Sequence, residues 1–124
     1  MPVHVSTDGD AIIAWRWIRN SEPIGFFKAF GDFTGNVDRW HYYNLHLPCT
    51  AYIDFGSADT ALQINEDERD RGNRVFALHF MTPVNEKYTI DRWMHLRNTA
   101  IDTEEASHKI DGMFEIAFSE DKAI

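Results

Sequence analysis

Residues 110–122 read Ile-Asp-Gly-Met-Phe-Glu-Ile-Ala-Phe-Ser-Glu-Asp-Lys, and here the apolar spacing of the chain changes. Ile110, Met113, Phe114, Ala117 and Phe118 recur every three or four residues, which marks one face of an α-helix. Asp102 followed by Glu105 fits a capping box at its start. Upstream the period is two. Val3 and Val5 alternate with His4, Thr7-Asp8-Gly9-Asp10 supplies a hairpin turn, and Ala11 to Arg19 pairs back with Ile13, Trp15 and Trp17 on one parity. Arg39 to Leu47, Thr50 to Phe55, Arg74 to Met81 and Tyr88 to Leu96 read as four further strands. The second of these is expected to stop at Gly56. Six strands followed by one helix imply an α+β fold, an antiparallel sheet wrapped on a C-terminal helix, in a single domain over 1–124.

Two stretches interrupt the pattern. Asn20 to Asn36 carries Pro23, Gly25, Gly31 and Gly35 around Phe26, Phe27, Phe30 and Phe33, which suits one short helical turn inside a long connection. Connections of that length often cover a pocket. Ser57 to Asn73 is polar, and its charge run from Glu66 to Arg71 reads as a solvated loop.

Composition removes several function classes. With 44% hydrophobic and 26% charged residues, the chain is globular rather than disordered. A formal net charge of -8 disfavours nucleic acid and anionic membrane surfaces as partners. The single Cys49 excludes an internal disulfide, an all-cysteine zinc site and a Rieske centre within these residues. Apolar runs are too short for a membrane helix, and the N-terminal residues lack a secretory pattern, so a cytoplasmic location is expected. Nucleophile elbows, phosphate loops and zinc-protease motifs are absent, and no catalytic residue is assigned.

Continuing the helical stripe three residues beyond Phe118 reaches Asp121. If the stripe holds, an acid meets the sheet and needs a cation, a metal or strong hydrogen bonds. If the helix frays, Asp121 lies in water. Asp38, His41 and His46 match the D-x-x-H-x-x-x-x-H spacing of some non-haem iron sites. In a strand, however, positions five apart point to opposite faces, so the match reads as accidental. A metal enzyme built on His41, His46 and an acid stays as a third possibility. His79 shares a strand face with Ala77 and Met81: it points outward if Phe76, Leu78 and Phe80 form the core, and inward if the sheet curls around a pocket. His95 shares parity with Trp93 and Asp91. Aromatic residues, including Trp15, Trp17, Trp40 and Trp93, suit core packing or the lining of a cavity for a ring-shaped ligand.

His79-Phe80-Met81-Thr82-Pro83, Tyr88, Arg97-Asn98, Asp102 and Glu120-Asp121-Lys122, with Asp38-Arg39-Trp40 ahead of a strand, follow one order. In that order the chain resembles the C-terminal catalytic domain of Rieske non-haem iron oxygenases of the vanillate O-demethylase and dicamba monooxygenase type. The resemblance runs from about Val3 to Ile124. It implies a helix-grip, START-like fold with an aromatic substrate cavity, and iron held by two histidines and one carboxylate. Asp121 matches the carboxylate and His79 a substrate-pocket residue. The resemblance also implies Fe(II) as cofactor of the intact enzyme, a small aromatic acid as substrate, and a reductase or ferredoxin as electron partner. It offers no counterpart here for the Rieske domain, the histidine pair or the helix after Glu120-Asp121-Lys122. The expectation is therefore an incomplete catalytic core that binds no iron by itself, is inactive alone, and self-associates as a homo-oligomer through uncovered apolar sheet. The other reading is a stand-alone START-like module that binds a small apolar or aromatic ligand.

Overall fold

A computed structural model describes residues 2–29 and 31–123. Its six strands are β1 (His4–Asp8), β2 (Ala11–Ser21), β3 (Val37–His46), β4 (Thr50–Asp59), β5 (Asn73–Pro83) and β6 (Thr89–Arg97). They form one antiparallel sheet in chain order. Two α-helices accompany the sheet among the described residues, α1 (Gly25–Lys28) and α2 (Glu104–Lys122). The architecture is α+β, as the change of period predicts, and helix-grip-like, as the family resemblance implies. The β1–β2 turn passes through Gly9 at φ 56, a left-handed position that glycine takes without steric cost. Within the Asn20–Asn36 connection α1 presents Phe26 and Phe27, while Phe30 lies outside the described residues.

Three boundaries differ from expectation, each for a local reason. First, β4 does not stop at Gly56 but runs through it to Asp59. Gly56 is paired with Trp40 across the sheet, and an added Cβ would collide with the Trp40 ring. The glycine makes room for a neighbour rather than ending the strand. Second, the charge run from Glu66 to Arg71 is a 3-10 helix with its own capping box, made by Asn65 and Glu68. Third, α2 has Thr103 at its N-cap with no side-chain hydrogen bond, so the Asp102–Glu105 box does not form. The Arg97 guanidinium instead donates to the carbonyls of Thr99, Ala100 and Thr103. It thereby ties the approach to α2 onto the end of β6.

The two faces of the sheet are built differently. On the face away from α2, Trp40, Ala58 and Ile64 form a buried cluster with Trp17 and Tyr42 against it. The Trp17 indole N–H donates to the Tyr42 hydroxyl at 2.9 Å. Asp54, 3% exposed, accepts from the Trp40 indole at 3.2 Å and from Arg74 at 3.0 and 2.7 Å. Arg69 approaches the same carboxylate at 3.5 Å and lies over the Tyr42 ring, so part of the charge run is folded onto the sheet. Asp38 anchors the β2–β3 end. It accepts from the Asn20 N–H at 2.9 Å, Arg19 at 2.8 Å and Thr60 at 3.0 Å. Burial works against its charge, yet these donors hold the carboxyl below the usual carboxylate range.

Candidate functional site: the helix-facing wall

The opposite face of the sheet meets α2, and strand alternation determines what it displays. On β5 the inward parity is Val75, Ala77 and His79; Val75 and Ala77 are buried, whereas Phe80 is 44% exposed on the other side. Of the two orientations open to His79, the structure has the inward one. Its ring meets Phe118 of α2 edge-on at 5.5 Å, and its side chain is 12% exposed.

A row of rings lines this wall. Phe55 of β4 packs against Phe26 and Phe27 of α1 and against Phe114 of α2, so both helices close over it. Trp93 of β6 lies 5.2 Å from Phe118 and 4.8 Å from His95. The His95 ring stacks on Phe114 with centroids 3.6 Å apart. At the β2–β3 end, His41 lies parallel to Tyr43 and to Phe55, at 6.1 and 6.2 Å. Two hollows open along the wall. A cleft of ≈ 430 Å³ runs between β6 and α2 beside Trp93, His95, Ile110 and Asp111. A smaller hollow of ≈ 230 Å³ has Ile12, Ala14, Tyr43, Leu45, Ala51 and Ile53 on its helix-facing floor.

Polar groups on the wall are few and specific. His79 Nδ1 is 2.7 Å from Asp91 Oδ2. An ionised carboxylate only accepts, so Nδ1 carries the hydrogen and Nε2 is the ring atom left for a ligand. His41 Nδ1 and His95 Nε2 are buried without a hydrogen-bond partner. Burial, reinforced by the positive charge of Arg16 and then Arg39, pushes His41 down to about 4. Burial likewise pushes His95 down to about 4; Asp111 opposes that shift and His79 adds to it. Both rings are uncharged at neutral pH, which fits a cavity wall rather than a surface.

Asp121 stands in the last turn of α2 and is exposed, so the helix does not fray there. It lies three residues beyond Phe118, the residue that touches His79. His41 and His46 diverge: His41 stacks on the helix-facing side, and His46 stacks on Tyr52 of the other face. Among the described residues no three His, Cys, Asp or Glu side chains converge as metal ligands. Asp121 alone offers one carboxylate, so this donor set does not by itself fit an iron held by two imidazoles and a carboxylate. Asp91 and His95 carry more of the site than their sequence context implies. The signal for both is the inward parity they share with Trp93, read against the pairing of His79 with Trp93.

No helix among the described residues is long and apolar enough to cross a membrane. Comparison with curated proteins and with solved structures finds no match. The family model described as the vanillate O-demethylase oxygenase C-terminal domain matches residues 1–124. With that match over the whole sequence and a ring-lined wall between sheet and helix, the chain belongs to the vanillate O-demethylase oxygenase C-terminal domain family.

Proposed function

We propose that the chain is the core of an aromatic-acid oxygenase catalytic domain, in which the helix-facing wall holds the ring of a small aromatic acid. The observation that carries this reading is the placement of His79. Among the described residues it is the imidazole on the wall that is hydrogen-bonded to a carboxylate, and it stands beside the Phe118 and Trp93 rings, where a ligand ring has aromatic edges to pack on. In this proposal His79 contacts substrate through Nε2, and Asp121 is the carboxylate arm for Fe(II) in the intact enzyme. The intact enzyme hydroxylates or O-demethylates the bound acid, with electrons from a reductase or ferredoxin. The chain alone is inactive, since the described residues bring no imidazole pair to Asp121. Its setting is cytoplasmic. Phe80, Ile90, Met94 and Leu96 leave β5 and β6 with exposed apolar surface, which supports self-association of the chain.

A second reading is favoured by the exposure of Asp121 and by the apolar hollow on β2–β4: a stand-alone binding module for an aromatic ligand. Thermal unfolding with vanillate and with toluene, a ring without the acid group, separates the two. The oxygenase reading predicts a rise in Tm with vanillate that His79→Ala removes and that Fe(II) does not enlarge, because Asp121 alone holds iron weakly. A rise of the same size with toluene, unaffected by His79→Ala, supports the module. Turnover of vanillate by the purified chain with Fe(II), oxygen and a reductase would contradict its inactivity.

A further inference from the structure

We infer that the β2–β3 end of the helix-facing wall is an anion subsite, where Arg16 and Arg39 receive the carboxylate of an aromatic acid whose ring lies in the adjoining hollow. This rests on the proposed function and adds to it where the acid group goes. Strand register places Arg16 directly opposite His41, and Arg39 lies two residues before His41 on the same side of β3. Two guanidiniums therefore flank one imidazole on a half-buried wall of a chain whose formal net charge is -8.

Neither arginine is neutralised. Among the described residues Arg16 has no hydrogen bond or ion pair, and Arg39 donates only to the Ser21 hydroxyl, at 3.1 Å. By contrast, Arg19, Arg69, Arg71 and Arg74 each meet a carboxylate. Between the two unpaired cations sits His41 Nδ1, buried and without a partner. An uncharged imidazole keeps one N–H to donate, so it can complete the recognition of an anion without adding a third positive charge. Buried polar atoms are ordinarily matched, so an unmatched one beside two cations without a carboxylate partner is a group available to a ligand.

The hollow identifies the rest of the ligand. Ala14 and Tyr43, on its floor, stand two residues from Arg16 and His41 on the same strand faces. Ile12, Asn44, Leu45, Ala51, Tyr52 and Ile53 complete its lining. A flat apolar group with a carboxylate at one end matches this arrangement. A multiply charged phosphate ester fits it less well, because apolar side chains make up most of the lining.

Titration of the full chain with benzoate, benzyl alcohol and acetate, followed by NMR at the His41 and Tyr43 rings, tests the subsite. Benzoate is expected to bind about tenfold or more tightly than benzyl alcohol, with the difference abolished in Arg16→Gln and in Arg39→Gln. Either variant is decisive if the other fails to fold. Equal affinity for the two aromatic probes, or a benzoate preference that survives both variants, overturns the subsite while leaving an aromatic cavity standing. If neither aromatic probe binds but acetate shifts His41 in an Arg16-dependent way, the anion subsite holds and the aromatic reading fails. No response to any of the three overturns both.

Discussion

His41 and His95 couple the wall to pH. Their unfolded value is near 6.5 and their folded value about 4, so protonation favours the unfolded chain. The stability they contribute is complete above pH 6.5 and is lost as pH falls through the window towards 4. His95→Phe keeps the stack on Phe114 and removes the buried orphan nitrogen. Urea unfolding at pH 7 and pH 5 should show a smaller loss of midpoint in this variant than in the parent; an identical loss would sink the assignment. On the other face, Asp54→Ala leaves Arg69 and Arg74 facing a buried space, at a cost of about 3–5 kcal/mol. Denaturant curves measure it, and a loss below about 1 kcal/mol, the worth of a surface pair, contradicts the network. Little of this is legible in the sequence. Asp54 sits in an ordinary strand, and its cationic partners are Arg69, in a charge run whose composition resembles a solvated loop, and Arg74, at the start of β5. The inward turn of His79 is one of two open parities, and only the packing of Phe118 decides between them.

The elements are far more readable than the residues, because periodicity is a local property. All six strands and α2 follow from alternation and the switch to helical spacing. Failures cluster where a long-range neighbour overrides a local rule. Gly56 reads as a stop because glycine is a poor strand former, yet its lack of a side chain lets the Trp40 ring lie over β4. Gly56→Ala should therefore destabilise the chain by about 1–3 kcal/mol through overpacking, even though alanine is the better strand residue. A melting temperature at or above the parent's would show that Trp40 can move aside. The capping box at Asp102 fails because α2 takes Thr103 as its N-cap, which leaves Asp102 one residue too early to reach the N–H groups of the first turn.

At the scale of the molecule, the sheet separates two jobs. The face carrying Trp40, Ile64 and the Asp54 network is packed around a paired carboxylate and supplies the rigid backing, with Arg69 Nε and Nη1 its buried unpaired donors. The face towards α2 is lined with rings, retains unpaired polar atoms and opens into hollows. The order of short motifs is enough to point to the family. The contact of His79 with Phe118, one turn before Asp121 on α2, requires the docked helix. The central claim is that the helix-facing wall is the binding face. Aromatic ¹H–¹³C spectra of the chain titrated with vanillate test it most directly. Saturable shifts are expected at His41, Tyr43, His79 and Trp93, with Trp17, Trp40 and Tyr42 unmoved. Shifts confined to Trp17, Trp40 and Tyr42, or no shift on either face, would contradict it.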